Sequence, residues 1–443
     1  MILSLREALR VKGARAEIAL ALAVLTTAVV AAADLPLVWD GSNFLFVALN
    51  EQTPLLIFHR YIESLLTAPA VAASFLTSDV GILRKVFSVS YAAVPTLALV
   101  LSWLVVRRKR PDLFVWPVLG IGLALLPGRA LGVAESLLAA QLSWPLFLAA
   151  LVPIDRTRLA LCVLVGLVVA VSHPAALVFL PLIGLVGSIE RVRSGSLVRG
   201  LGWLATFLAL AVVNIALLTS QLDPYEVKSA RPLAIVYELI FGAAGPQLAG
   251  LLLTAVAAVL VHRAARAPHE VRRPYSRAAV TAGLAVIPFV IWAAIPELWY
   301  HTLEYRAWAI PATLPLFALA WSDARQRDAA VRAHVAERMT LSVVAATVMF
   351  VVLLVQSVVW TGLVARLEAA VASRAGCVPL GSMAGYEQTA AGGWAVAPLS
   401  IIVQGRQVHA FVAPDALCEG SHWPDDAPVL GSPALRPLWF RFQ

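Results

Sequence analysis

Residues 18–44 read IALALAVLTTAVVAAADLPLVWDGSNF, an apolar run that is followed at once by an acidic stretch. The run is long enough for one membrane-spanning helix, since about 20 apolar residues cross the hydrocarbon core of a bilayer. Four basic residues precede the run and place its start on the cytoplasmic side: Arg6, Arg10, Lys12 and Arg15. The small residues Ala31, Ala32 and Ala33 are also typical of a signal-peptidase site, but the many later apolar runs favour an uncleaved first span.

The composition of the whole chain indicates a polytopic membrane protein. Hydrophobic residues make up 60% of the 443 positions and charged residues only 14%, whereas soluble proteins average about 25% charged residues. The net charge of +8 is divided among short loops. This distribution favours a role in membrane orientation over binding to nucleic acid.

The apolar runs predict eleven transmembrane helices within a helical domain of residues 1–364. The predicted spans cover 18–35, 87–106, 114–126, 136–152, 159–171, a run ending at 189, 201–218, a run ending at 261 after a short dipping helix, 280–295, 307–321 and 341–364. The predicted fold class is therefore an all-α polytopic membrane protein. A first outer loop at about 36–85 carries a surface helix, and residues 365–443 form a small extracytoplasmic segment of α/β or β type.

Basic residues give the chain an orientation. The segments that alternate onto the cytoplasmic side hold most of the 34 Lys and Arg residues, which is the positive-inside pattern. With an odd number of spans the N-terminus is cytoplasmic and the C-terminus is extracytoplasmic, as in the plasma membrane of a bacterial-type cell. In that oxidising compartment Cys377 and Cys418 can pair as a disulfide. Alternating apolar residues at 401–403 and 408–412 predict a β-hairpin between them.

The first outer loop contains an amphipathic pattern. Apolar residues recur at helical spacing: Leu55, Phe58, Ile62, Leu65 and Leu66. Four polar residues fall on the other face: His59, Arg60, Glu63 and Ser64. Such a helix is expected to lie along the membrane surface. It would hold a carboxylate, an imidazole and a guanidinium together over the mouth of the helical bundle.

Residues able to do chemistry concentrate on the predicted outer side. They are Asp40, Glu51, His59, Arg60, Glu63, Arg129, Glu135, His173, Asp223, Glu226, Lys228, Arg231, His301, Glu304 and Arg306. The cytoplasmic loops contain neither a P-loop nor a dinucleotide-binding glycine motif, and the sequence shows no cysteine or histidine cluster of the metal-binding type. ATP-driven transport and a soluble nucleotide donor are thus unsupported.

This layout resembles the C-type (GT-C fold) membrane glycosyltransferases, which take a sugar from a polyprenyl-phosphate carrier. Asp40, within Trp39-Asp40-Gly41, lies just after the first span, where that family keeps its catalytic carboxylate. Tyr305-Arg306, before the tenth span, is similar to the family's Arg-Tyr region near the carrier phosphate. The family's paired-acid D-x-D motif is missing here. We therefore predict no cofactor and leave a divalent cation as an open alternative.

The resemblance implies extracytoplasmic glycosyl transfer from a polyprenyl-phosphate sugar to an envelope glycan, lipid or protein acceptor. Asp40 would be the general base, and a guanidinium of Arg306, Arg129 or Arg60 would hold the phosphate leaving group. Contacts to sugar hydroxyls would come from His59, Glu63, His173 and His301. The remaining predicted substrate-binding residues are Glu51, Glu135 and Glu304.

Structural roles compete with these assignments. Asp40 and Ser42 are both good N-cap residues for a helix that begins near Asn43, and His173, before a proline, is typical of a turn. Arg60, Arg84 and Lys85 are long enough to reach lipid headgroups. Two other functions also stay open. A transporter or flippase of lipid-linked sugars predicts paired charges near the membrane midplane, and a non-catalytic scaffold predicts that the C-terminal segment binds an envelope partner.

Overall fold

A computed structural model describes residues 2–56, 60–125, 133, 135–220, 294–295, 309–325, 328–383, 395–413, 415–418 and 439–442. Structural statements below concern these residues. The eighth and ninth predicted spans, the dipping helix and the Tyr305-Arg306 pair lie outside them.

The described chain is mostly helical. Its helices are α1 (Ile2–Ala32), α2 (Asp40–Glu51), α3 (Tyr61–Ser74), α4 (Val80–Val106), α5 (Val115–Leu125), α6 (Glu135–Leu151), α7 (Arg156–Ala170), α8 (Ala176–Arg193), α9 (Leu197–Ser220), α10 (Ala309–Ala324), α11 (Asp328–Ala372), α12 (Val396–Ile402) and α13 (Asp415–Cys418). The short strands are β1 (Gly376–Pro379), β2 (Gln407–Val408), β3 (Ala410–Ala413) and β4 (Arg441–Phe442).

Within this part of the chain, four helices are long and apolar enough to cross a membrane. Their apolar segments are Ala14–Ala32, Val80–Val106, Leu197–Leu217 and Arg338–Ala372. Three shorter apolar helices are Pro111–Gly122, Glu135–Leu151 and Thr157–Ala170. The expectation of a helical membrane protein is confirmed at this level, whereas the number of eleven spans and the orientation stay predictions.

Helix α6 lies at the centre of the bundle. Every residue from Glu135 to Ala150 is buried, and α6 packs against α4, α5, α7, α8 and α10. The Phe147 ring stacks on Phe317 of α10 with 3.9 Å between centroids, and Phe179 of α8 lies 6.0 Å from Phe317. A helix surrounded by protein needs no lipid-facing stripe, which explains how so short an apolar helix fits inside the bundle.

Ion pairs hold one end of α4 to the end of α1. The Asp34 carboxylate accepts hydrogen bonds from Arg84 and Ser88 and lies 2.9 Å from the Lys85 ammonium. Trp360 of α11 donates to the Asp34 carbonyl oxygen at 3.0 Å. The Arg84 side chain is therefore held inside the bundle, whereas the Lys85 side chain is 49% exposed and the headgroup alternative stays open for it. Asp34, only 2% exposed, supplies the buried anion that holds Arg84.

A second network holds the opposite end of α4. Asp112, which is fully buried, lies 2.8 Å from Arg110 and 3.2 Å from Arg338 of α11. Arg338 also lies 3.1 Å from Asp323 at the end of α10, and Trp116 donates to the same carboxylate. The network joins the turn after α4 to α10 and α11, and the sequence pattern did not single it out.

The C-terminal segment is a small α/β unit. Strand β1 pairs in parallel with β3, and β2 pairs in parallel with β4. A disulfide joins Cys377 to Cys418. The predicted hairpin is wrong, because residues 401–402 belong to α12 and the strands pair with more distant partners. Periodicity cannot separate a short continuous apolar run in a strand from one in a buried helix, and α12 is buried at every position.

This segment packs on α2. The Ser42 hydroxyl donates to the Ala395 carbonyl oxygen at 3.0 Å. Further along α2, the Phe46 ring stacks on Phe440 with centroids 5.2 Å apart. The first loop and the C-terminal segment therefore share one end of the bundle, the end where α1 finishes and α4 begins.

Candidate functional site

The starts of four helices meet at this end of the bundle. Asp40 is the first residue of α2, Arg60 is the N-cap of α3, Glu135 is the first residue of α6, and His173 comes shortly before α8. Glu63, in the first turn of α3, interacts electrostatically with Asp40, Arg60 and Glu135, and Glu135 interacts with His173. Helix N-termini carry partial positive charge, so the convergence of several favours bound anions and carboxylates.

The backbone around Asp40 is unusual. Trp39 has φ 57° and ψ −124°, in a region that L-residues rarely adopt. A Cβ atom at Gly41 would lie 1.7 Å from the Pro36 carbonyl oxygen, so only glycine fits there. Such conformations persist where the surroundings enforce them, often at functional sites.

The N-cap role expected for Asp40 and Ser42 is wrong. Helix α2 begins at Asp40 and not near Asn43, with Trp39 as its N-cap and without a side-chain cap hydrogen bond. The Ser42 hydroxyl donates to the Trp39 and Ala395 carbonyl oxygens instead. The half-buried Asp40 carboxylate thus lies in the first turn, at the positive end of the helix dipole.

Glu63 is fully buried and bonded to Tyr91 of α4. The Tyr91 hydroxyl donates to Glu63 Oε2, whereas Glu63 Oε1 has no hydrogen-bond partner among the described residues. Burial, and then the nearby carboxylates of Glu135 and Asp40, raise the pKa of Glu63 well above its ordinary value despite the opposing effects of Tyr91 and Arg60. The surroundings therefore favour the neutral acid.

The amphipathic surface helix predicted in this loop is corrected in two respects. It begins at Tyr61 and not at Leu55, and its polar residue Glu63 faces α4 while Leu65 is 57% exposed. Ile62 and Leu66 of the predicted apolar face are buried as well. The buried Glu63 differs from the predicted polar face because the Tyr91 hydroxyl offers it a hydrogen bond that apolar neighbours could not.

Arg60 and Glu135 form an ion pair. The Arg60 Nη1 atom lies 2.9 Å from Glu135 Oε1, and the two side chains are 16% and 6% exposed. The alternative in which Arg60 reaches lipid headgroups is therefore wrong, because a buried carboxylate of α6 binds it. Glu135 holds the guanidinium beside Glu63.

His173 holds the turn before α8 and also belongs to the charged cluster. Its Nδ1 atom accepts a hydrogen bond from the Ala175 backbone N–H at 3.0 Å. In the neutral ring the proton is then on Nε2. Asn214 of α9 donates to the His173 carbonyl oxygen at 3.3 Å. The turn assignment is correct, and the same imidazole interacts electrostatically with Glu135.

Helix α4 shows how deep the cluster lies. Asp34 contacts α4 at Arg84, Lys85 and Ser88, and Tyr91 comes about 5 Å further along the helix. About 22 Å of α4 then remain before Val106. The contact between Glu63 and Tyr91 therefore lies about 16 Å from the start of α4 at Val80, roughly two turns beyond the Asp34 ion pairs.

Some predicted residues are elsewhere. Glu51 is exposed at the opposite end of α2, about 16 Å from Asp40 along the helix axis. Several others lie outside the described residues: His59, Arg129, Asp223, Glu226, Lys228, Arg231, His301, Glu304 and Arg306.

The sequence pattern did not identify Tyr91 as part of the site, because one tyrosine in an apolar run resembles core packing. In the described ranges no group of three or more His, Cys, Asp or Glu side chains is arranged to hold a metal ion.

Comparisons were made with models of known families, with curated proteins and with solved structures. No family model matches the chain, and no curated protein or solved structure matches it.

Proposed function

We propose that this protein transfers a glycosyl group from a polyprenyl-phosphate-linked sugar to an envelope glycan, lipid or protein acceptor outside the cytoplasmic membrane. The observation that carries the proposal is the meeting of Asp40, Glu63 and Glu135 with Arg60 and His173 at four helix N-termini. The site combines carboxylates able to accept a proton with cations and helix dipoles able to stabilise a phosphate.

In the proposed reaction an acceptor hydroxyl oxygen attacks the anomeric carbon of the donor sugar. The hydroxyl proton passes to the Asp40 carboxylate, and the bond between the anomeric carbon and the phosphate oxygen breaks with its electron pair on the phosphate. A positioned general base is typically worth a factor of 10² to 10⁴ in rate. Arg60, oriented by Glu135, and the nearby helix N-termini would stabilise the charge that grows on the leaving group.

The depth of the cluster supports a lipid-linked substrate. A polyprenyl chain is soluble only in the bilayer, whereas its phosphate and sugar are polar. A site about three helical turns from the start of α4 lets the chain stay among helices while the phosphate meets Arg60. The full proposal has eleven spans, a cytoplasmic N-terminus and an extracytoplasmic C-terminal segment.

An ion-coupled transporter or flippase is the second candidate. Intramembrane charges of transporters lie near the bilayer midplane. Two of the described networks lie at the ends of α4, around Asp34 and around Asp112. The Arg60–Glu135 pair lies deeper, beside the Glu63 carboxyl that contacts α4 about 16 Å from its start, and it is the observation that favours this candidate.

The test is transfer by the purified protein from labelled polyprenyl-phosphate sugars. Asp40→Asn should lower the rate by about 100-fold or more, since it removes the base without changing side-chain size. Glu51→Gln is the matched control, because Glu51 is an exposed carboxylate of the same helix, and it should stay within about twofold of the unmodified protein. Full activity of a normally folded Asp40→Asn protein would remove Asp40 as the base.

A further inference from the structure

The proposed reaction leaves Glu63 and Tyr91 without a role, although both are buried beside the reacting groups. Glu63 is fully buried, and its Oε2 atom accepts a hydrogen bond from the Tyr91 hydroxyl group. Its Oε1 atom is buried and has no hydrogen-bond partner in the described part of the chain. Buried polar atoms are nearly always hydrogen-bonded, so this oxygen calls for a partner that the described residues do not supply.

The charged groups around Glu63 come from three other parts of the chain, whereas α4 contributes the Tyr91 hydroxyl. Helix α2 contributes Asp40, the start of α3 contributes Arg60, and α6 contributes Glu135. His173, from the turn before α8, acts on Glu135. Arg60 is already paired with Glu135, so a third carboxylate charge would have little compensation. Burial adds to this effect, and both favour the protonated acid.

The hydrogen bond from Tyr91 decides which oxygen carries that proton. Because Oε2 accepts the tyrosine hydroxyl, the proton of a neutral Glu63 belongs on Oε1. The unpaired atom is then an O–H donor, buried near Arg60, and it requires an oxygen acceptor.

We infer that Glu63 is an uncharged hydrogen-bond donor to the substrate, with its Oε1–H directed at an oxygen of the carrier phosphate or of the sugar joined to it. The inference rests on the proposed function for the identity of the ligand. A neutral donor contacts a phosphate without the repulsion that a carboxylate would add. Its hydrogen bond also strengthens as negative charge grows on the acceptor oxygen.

Infrared difference spectroscopy of the purified protein tests the protonation state without requiring transfer. The carbonyl stretch of a protonated carboxyl group should shift when polyprenyl phosphate without a sugar, or the sugar-linked form, is added at neutral pH. The shifting band should be absent in Glu63→Gln and unchanged in Glu51→Gln. If no protonated-carboxyl band depends on Glu63, the inference is overturned.

Binding measurements with the same two lipids test the donor role. Glu63→Gln keeps an uncharged donor of similar size and should bind within about threefold of the unmodified protein, whereas Glu63→Ala should bind about 10- to 100-fold more weakly. If Oε1 contacts the phosphate, Glu63→Ala should bind both lipids more weakly. If Oε1 contacts the sugar, only the binding of the sugar-linked lipid should weaken. Equal losses in Glu63→Gln and Glu63→Ala would overturn the inference. If transfer fails with every sugar donor while the band and the binding pattern are seen, the proposed reaction is wrong and the donor role stands.

Discussion

Three acidic side chains lie close together at this site, and their surroundings favour different charge states. Glu135 is paired with Arg60, and Asp40 lies in the first turn of α2, where the helix dipole stabilises an anion. Glu63 is buried beside a tyrosine hydroxyl and favours the neutral acid. Groups whose surroundings separate their pKa values can divide the roles of acid and base.

The raised pKa of Glu63 predicts a pH dependence of stability. The folded protein binds this proton more tightly than the unfolded chain does, so the stabilisation is present at low pH. It is lost as the pH rises through the raised folded pKa. Thermal unfolding in detergent should therefore show a fall in Tm over that range. Glu63→Gln should reduce the fall, and Glu51→Gln should leave it unchanged. Identical pH slopes for the unmodified protein and Glu63→Gln would contradict the assignment.

For single residues, the sequence could indicate which ones share a predicted side of the membrane, but not which of them are in contact. Asp40, Arg60, Glu63, Glu135 and His173 were selected because each lies at an outer span end, and they do meet. Glu51 met the same criterion and lies apart. The position of Glu51 follows from the length and direction of α2, and the pattern of charged residues in the sequence gives neither of them.

At the scale of elements, the C-terminal segment holds α2 along its length. Ser42, Phe46 and Asn50 contact Ala395, Phe440 and Trp439. The disulfide closes the chain between β1 and α13, which limits how far this segment can move. The direction of α2, and with it the position of Asp40, therefore depends on residues that come more than 350 positions later in the sequence.

Ser42→Ala tests this dependence. The change leaves the buried Ala395 carbonyl oxygen without its side-chain donor, so it should destabilise the protein by about 1–2 kcal/mol. The transfer rate should also fall, because Asp40 is two positions away. The control is Ser373→Ala, since Ser373 is exposed and its hydroxyl donates only to Ala370 of the same helix. Equal stability and rate in the two variants would show that the contact does not position α2.

The first and last residues of the helices were the most predictable feature of the fold, because apolar runs end at charged residues. The predicted 87–106, 114–126, 136–152 and 201–218 correspond to α4, α5, α6 and α9, with ends shifted by up to seven residues. The hairpin failed because its apolar residues are buried on all sides. The prediction that Glu63 lies on the polar face of α3 failed because its hydrogen-bond partner, Tyr91, lies in another helix.

At the scale of the whole molecule, the two ends of α4 differ in charge. Arg107, Arg108 and Lys109 are exposed at one end, as expected for a cytoplasmic loop. At the other end Arg84 and Lys85 bind Asp34. Counting basic residues predicts the orientation, but it cannot separate cations that contact lipid from cations that hold helices together.

Single cysteines at the two ends of α4 test the orientation. Leu76→Cys places a thiol at a residue that is 90% exposed in the turn before α4, and Arg108→Cys places one in the exposed turn after it. A membrane-impermeant thiol reagent added to intact cells should label the first variant and not the second. The native cysteines should give little background, because Cys162 is buried and the other two form the disulfide. Labelling of the second variant alone would reverse the orientation.

Binding of the carrier phosphate at the helix starts of the candidate site is tested most directly by photocrosslinking. The probe is a polyprenyl phosphate that carries a photoreactive group beside its phosphate. We expect crosslinks to peptides at the starts of α2, α3 and α6, with yields lowered about tenfold by Arg60→Gln. Yields should be unchanged by Arg108→Gln at the opposite end of α4. Crosslinks concentrated near Arg108, or yields at the helix starts that do not respond to Arg60→Gln in a folded protein, would contradict binding of the phosphate at this site.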